Sequence, residues 1–388
     1  MGVPVDYLKS IRIDVIIYHT SFCGMRWSQS VFYNFTALTA DFNDHPAYKI
    51  AIPQDEFTKT DMLCEFLNEC HIDCVLTCAY DSEWEAIYGS LDQNRVRFKT
   101  VLTGYLDDHT VNRSRSFIKP LKDRSIGISY RAWRAAYWLG EHATHKVKVG
   151  EIFQKKGPEA GFNCDISLDD GATLLGDDWL KFLADSRATI GVEGGASILD
   201  KDGSIKTRVD SYVADNPRAS FEETREACFK GQDNHFNLSC LSPRHLEAVA
   251  TKTVQILIDG EFNGILIKNR HFITLKPDYS NIDETLAALK DDSKVQAMID
   301  LAYEEIVKPG RFTYRGFVQE IEAEIIDKAP LANLGRSSLW KRFVMGIRDY
   351  INWRLIEGEV HLMKKPNARM QKHLDRIRHA FVALPDWG

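Results

Sequence analysis

The sequence predicts an α/β protein of two doubly wound parallel halves facing across a cleft, followed by a helical extension. Three observations carry this. Short apolar runs alternate with longer helical patterns from "IRIDVIIYHT" to "HFITLK", and alternating strand and helix builds a parallel sheet with helices on both faces. The pattern restarts after "DDHTVNRSRSFIKPLKDR", a polar, basic stretch that reads as a linker. The length, 388 residues, suits two or three domains at ~100–200 residues each. The expected divisions are 1–120, 121–330 and a basic tail at 331–388.

In the first half, "IRIDVIIYHT" is a strand candidate and "YKIAIPQDEF" repeats its design. "KTDMLCEFLNECH" has helical spacing, "IDCVLTCAY" is a third strand and "VRFKTVLTGYL" a fourth. In the second half, "SIGISYR", "FNCDIS", "ATIGVEGGAS", "VQILI" and "HFITLK" read as strands. The helices between them include the segment after "YWLG", "GDDWLKFLADS" and "SFEETREACFKG"; "NIDETLAALKDDSKVQAMIDLAYEEIV" supplies the last of this half. The tail segment "SSLWKRFVMGIRDYINWRLIEG" puts Leu339, Phe343, Ile347 and Ile351 on one helical face. With Lys341, Arg342, Arg348 and Arg354 it suits an anionic membrane surface; packing back on the first domain is the alternative.

Composition excludes several classes. The net charge of -6 does not suit a nucleic-acid binder. Residues 331–388 hold 11 Lys and Arg against 5 Asp and Glu, a balance of +6 that leaves -12 on the rest. No leader and no membrane-length apolar run is read, so a cytoplasmic protein is expected, peripheral at the inner membrane face if the tail binds there. Eight cysteines without a C-x-x-C pair read as reduced, small hydrophobes. There is no P-loop motif, and no G-x-G-x-x-G follows the first strand. "LDKDG" offers Asp200 and Asp202 to a divalent ion or to a turn, and the turn is favoured.

Ligands of open parallel sheets bind outside the carboxyl ends of the strands. In the first half those ends carry His19, Gln54, Asp55, Glu56, Asp81 and Tyr105. In the second half, "SYRAWR" brings Arg131 and Arg134, and "GVEGGAS" brings Glu193, Gly194 and Gly195. "SPRHLE" brings a helix N-terminus with Ser242 as cap, Pro243 in the first turn, then Arg244 and Glu247. A guanidinium, a helix N-terminus and a glycine turn suit a diphosphate, and a nearby carboxylate suits a ribose diol. These features converge if their strands lie side by side.

"SPRHLEAVATKTVQILIDGEFNGIL", "HFITLKPDYSNIDETLAALKD", "AYEEIV" and "FTYRGFV" together resemble the C-terminal domain of group 1 glycosyltransferases, most strongly over residues 186–319. "KIAIPQDEF", "TVLTGYL" and "GISYRAW" upstream are similar to uncharacterised bacterial members. The resemblance implies the GT-B fold, with the nucleotide-sugar donor on the second domain and the acceptor on the first. It implies that Glu247 holds the ribose hydroxyls, that Arg131 serves the diphosphate, and that the loop from Ser239 to Ser242 faces phosphate and donor sugar. Asp165 and Ile166 would lie near the base. Many members carry Glu eight residues before the position of Glu247; here it is Ser239, which leaves the sugar and the stereochemistry open.

The expected activity is glycosyl transfer from a nucleotide-diphosphate sugar to a hydroxyl of a saccharide or lipid-linked acceptor, in bacterial surface polysaccharide or glycoconjugate synthesis. No metal or other cofactor is expected. For an inverting reaction the general base would come from His19, Asp55 or Glu56, with His19 preferred because neutral imidazole is available near pH 7. His245 is a further candidate. The rival readings are an epimerase or hydrolase on the same fold, and a non-catalytic nucleotide-sugar-binding subunit.

Overall fold

The computed structural model describes residues 13–328, with Leu8 besides; the tail reading at 331–388 lies outside the described residues. Two parallel sheets form. The first contains β1 (Val15–Tyr18), β2 (Tyr48–Ala51), β3 (Cys74–Thr77) and β4 (Arg97–Thr100), hydrogen-bonded in that order. Strands β2 and β3 are buried along their whole length, which explains why they read as apolar runs rather than alternating ones. Helix α1 (Gln29–Thr39) follows β1, and α2 (Thr60–Glu69) follows β2 with Leu63, Cys64, Phe66 and Leu67 buried.

The second sheet is built from β5 (Ile126–Arg131), β6 (Cys164–Ser167), β7 (Ser186–Gly191), β10 (Val254–Ile258) and β11 (Ile273–Leu275) in the order β11-β10-β7-β5-β6. Every pairing in it is parallel. The chain reverses its direction of winding beside β5, so a crevice opens between the carboxyl ends of β5 and β7. The helices here are α3 (Glu141–Glu159), α4 (Asp177–Ala184), α5 (Ser204–Asp215), α6 (Pro243–Ala250), α7 (Ile282–Leu289) and α8 (Asp292–Ala302). The glycines after β7 open a small separate ribbon, in which β8 (Gly194–Ala196) pairs antiparallel with β9 (Leu238–Cys240).

The carboxyl ends of the two sheets face each other. Tyr80, after β3, accepts a bond from Asn263 N, after β10, at 3.0 Å. Thr103, after β4, donates to Leu241 O at 3.1 Å. One apolar cluster joins Phe57 and Phe66 of the first half to Trp138, Ile198 and Phe229 of the second. Two parallel α/β halves thus face each other across the carboxyl ends of their strands.

Two segments differ from the sequence reading. The presumed linker contains a helix, Asp108–Ser114, capped by Asp107 on Thr110 N at 3.0 Å. Its Val111 joins the cluster around Leu246 and Val249 of α6. The final described helix, α9 (Tyr314–Lys328), packs on the first sheet: Glu324 accepts from Tyr48 Oη at 2.8 Å and pairs with Arg97 at 2.9 Å.

All eight cysteines are free and seven of them are buried. Asp200 caps α5 by accepting from Ile205 N and Lys206 N at 3.1 and 2.9 Å, and Asp202 accepts from Ser204 N, so this pair serves a helix turn. Among the described residues, no helix is long and apolar enough to cross a membrane.

Candidate active site

Strands β10, β7 and β5 are neighbours, and this brings the three second-half motifs to one crevice. Helix α6 begins as its sequence dictates, with Ser242 extended at φ −76° and ψ 143° and Pro243 in the first turn. The Ser242 hydroxyl makes no cap bond. The turn before α6 is held from both sides, because Leu241 N donates to Asn263 Oδ1 at 2.7 Å while Leu241 O takes the Thr103 bond. Gly104 completes the seat: a Cβ there would lie 2.6 Å from the Pro243 ring.

From that helix, Arg244 donates to the carbonyl of Arg131 at 2.9 Å. Glu247 accepts from Trp179 Nε1 at 2.7 Å through Oε2, and Oε1 has no hydrogen-bond partner among the described residues. Burial raises the Glu247 pKa, against the lowering effects of Trp179 and Arg244. The third polar residue of α6, His245, is enclosed: its ring nitrogens lie 3.0 Å from Val192 O and 2.8 Å from the Gln255 side-chain amide. Burial pushes its pKa down to about 4.

Arg131 and Asp165 meet each other. They form an ion pair at 2.8 Å, Arg131 Nη1 donates to Tyr130 O and Asp165 O at 2.9 Å each, and the guanidinium lies 4.2 Å above the Phe182 ring. The donors of Arg131 are thus largely engaged, and its main chain supplies the rest for Arg244.

Glu193 and Gly195 are engaged within the protein itself. Glu193 is buried and accepts from Phe262 N at 2.7 Å and Glu261 N at 3.2 Å, which fixes the loop after β10. Gly195 has φ 127°, and any Cβ there would collide with Leu238 O. The close neighbour that demands glycine at this point is β9.

In the first half, adjacent residues part company. Glu56 is fully buried and accepts from Thr77 Oγ1, from Tyr88 Oη at 2.7 Å and from Cys78 N. Asp55 is exposed, at φ 56°. Partial desolvation by the surrounding protein raises its pKa, while Arg26, Lys146 and a bond from Trp27 lower it. His19 is exposed at the end of β1, with Nδ1 accepting from Ser21 N at 3.2 Å and its pKa lowered by desolvation.

Two residues escaped the sequence reading. Lys146, in the second turn of α3, is half-buried and forms no ion pair among the described residues. Its pKa is lowered by burial and then by Arg244, and raised by Cys240 and Asp55, so it lies within electrostatic reach of Arg244 and Cys240 in its own half and of Asp55 in the other. The α3 N-terminus itself is closed, since Asp233 accepts from Glu141 N at 2.9 Å and Ser197 Oγ from His142 N at 3.2 Å. A lysine one turn inside a helix that follows "YWLG" was the available signal. Trp179 left none, because its partner lies 68 positions away.

Among the described residues, two cations, Lys146 and Arg244, thus lack a carboxylate at ion-pair distance, and Arg244 stands in the first turn of α6. Next to them stand a half-satisfied carboxylate, Glu247, and an exposed one, Asp55, on the facing half. No protein-family model matches the chain, and no curated protein does. Similar solved structures include an alpha-glucosyltransferase in complex with UDP-glucose and DNA, at 13% identity, covering 81% of this chain and 80% of that one with a TM-score of 0.46. Sucrose-phosphate synthase from Thermosynechococcus elongatus is 9% identical, over 83% of this chain and 75% of that one, with a TM-score of 0.42. Anabaena HepE in complex with UDP is 9% identical, over 81% and 79%, with a TM-score of 0.43.

Proposed function

We propose that this protein is a glycosyltransferase that moves a sugar from a nucleoside-diphosphate donor to a hydroxyl acceptor. The observation that carries the reading is the pair of unpaired cations, Lys146 and Arg244, at the start of α6 with the open oxygen of Glu247 beside them. The diphosphate would take Arg244, Lys146 and the first amides of α6, which stabilise the charge that develops as the sugar leaves. Glu247 Oε1 would accept from a ribose hydroxyl, with Trp179 fixing the carboxylate. Arg131 and Asp165 would hold Arg244 and the edge of the base site. The second half, 121–330, is then the donor side and 1–120 the acceptor side, with Ser242 at their junction.

Asp55 is the base this reading favours, since it is exposed just past β2 and lies within electrostatic reach of Lys146. In an inverting transfer it would take the proton of the acceptor hydroxyl. His19, just past β1, has no hydrogen bond at Nε2 among the described residues, whereas Glu56 is engaged inside the first half. The acceptor would be a saccharide or a lipid-linked saccharide of bacterial surface polymer synthesis. A non-catalytic binding subunit is the second reading. Ser239 favours it, being buried and bonded to Asn237 rather than turned to a donor sugar.

Purified protein incubated with nucleotide-sugars and saccharide acceptors tests both. Acceptor-dependent release of nucleoside diphosphate that Asp55→Asn abolishes supports transfer. Donor binding with no release across the panel supports the binding subunit.

A further inference from the structure

Arg26 is fully buried, at 0% exposure, and has no carboxylate at ion-pair distance among the described residues. A cation taken out of water must replace its hydration by hydrogen bonds. Arg26 does so wholly with backbone. Nη1 donates to Cys23 O at 2.9 Å, Nε to Thr58 O at 3.3 Å, and Nη2 to Asp55 O at 2.7 Å and to Gln54 O. One guanidinium thus ties the turn after β1 to the loop after β2, and three of its four acceptors belong to residues 54–58. A planar fork with fixed donor directions can do this; an ammonium cannot reach all four.

The loop it holds needs holding. Asp55 sits at φ 56°, in the left-handed region that non-glycine residues occupy at a cost and keep only where the surroundings impose it. The hydroxyls of Thr58 and Thr60 are buried without partners and give the loop no support. Its far end is pinned by Lys59 N on Asp200 O at 2.7 Å. The guanidinium therefore holds Asp55 itself and the loop on both sides of it.

We propose that Arg26 is a positioning residue, which holds the 54–58 loop and so keeps the Asp55 carboxylate within reach of Lys146. Its effect on turnover rests on the reading of Asp55 as the base; the placement does not. The charged groups facing Asp55 are Arg26 and Lys146, with Trp27 as a donor. The nearby thiols of Cys78 and Cys240 are kept neutral by burial. Removing the Arg26 charge therefore raises the Asp55 pKa and moves the acid limb of the rate profile to higher pH. A lysine at this position keeps the charge and loses the fork.

The test joins residue 55 to residue 146 with a zero-length carbodiimide and measures the amide-linked peptide by mass spectrometry in wild type, Arg26→Met and Arg26→Lys. Wild type gives the linked peptide; Arg26→Met loses it by about tenfold or more, and Arg26→Lys falls between. In the transfer assay Arg26→Lys lowers kcat by about 10–100-fold, the scale of an ångström-sized misplacement, with donor KM held within about twofold and the acid limb unmoved. Coupling at the wild-type yield in both variants overturns the proposal. Should Arg26→Met not fold, wild-type coupling and kcat in Arg26→Lys alone overturn it. Full turnover in Asp55→Asn sinks only the base assignment, and the coupling yields still decide the placement.

Discussion

The indole nitrogen of Trp179 lies 2.7 Å from Oε2 of Glu247, while Oε1 takes no hydrogen bond among the described residues. A carboxylate held by one oxygen is oriented for the other to accept from a ligand. Trp179→Phe removes that hold while keeping the aromatic contact with Phe182. It should weaken nucleoside-diphosphate binding by about 3–10-fold, the range of an ordinary net hydrogen bond of about 0.5–1.5 kcal/mol. Calorimetric titration of the variant checks this; an unchanged Kd would make the contact merely structural.

Lys146 and Arg244 should recognise phosphate and not base. Lys146→Ala and Arg244→Ala are each expected to lower affinity for the diphosphate by about tenfold, or about 1.4 kcal/mol, and to leave nucleoside binding alone. Titrating each variant with diphosphate and with nucleoside separates the two effects. Equal losses for both ligands would mean that the variants disturb the fold.

Gly195 is a test of packing. With φ 127° and Leu238 O where a Cβ would stand, Gly195→Ala must push β8 and β9 apart. The expected loss is about 3 kcal/mol or more, from a strained backbone and an overpacked contact together. Urea unfolding measures it. Stability within about 0.5 kcal/mol of wild type, the range of an ordinary surface change, would contradict the placement of β9.

His142 gives the acid side of stability a specific cause. It donates to Glu193 O at 3.2 Å, and burial pushes its pKa from 6.5 down to about 4. The unfolded chain therefore binds a proton at this residue before the folded chain does. Its contribution is fully present above about pH 6.5 and is lost as pH falls toward 4. His142→Gln should flatten the fall in melting temperature across that window relative to wild type. Parallel curves would show that other groups govern it.

The fold was legible because its signals are local. Buried parallel strands read as short apolar runs, and Ser242-Pro243 marks a helix start by chemistry that spans a few residues. What stayed hidden depends on distant partners. Nothing near Glu193 announces that Glu261 and Phe262 amides will claim it, and nothing near Gly195 announces Leu238. Asp55 and Glu56 are neighbours in sequence, yet one opens to the crevice and the other meets Thr77 and Tyr88 inside. The helix at Asp108–Ser114 hid in a polar stretch because only Val111 and Ser114 are buried in it.

The central claim is a nucleotide-diphosphate site at the start of α6. Thermal shift of wild type and Glu247→Ala against UDP, GDP, CMP, dTDP and ADP tests it most directly, since a ligand that binds only the folded state must raise the melting temperature. The account predicts that one nucleoside diphosphate stabilises the wild type and that Glu247→Ala loses the shift. No shift with any of the five, or the same shift in the variant, would contradict it.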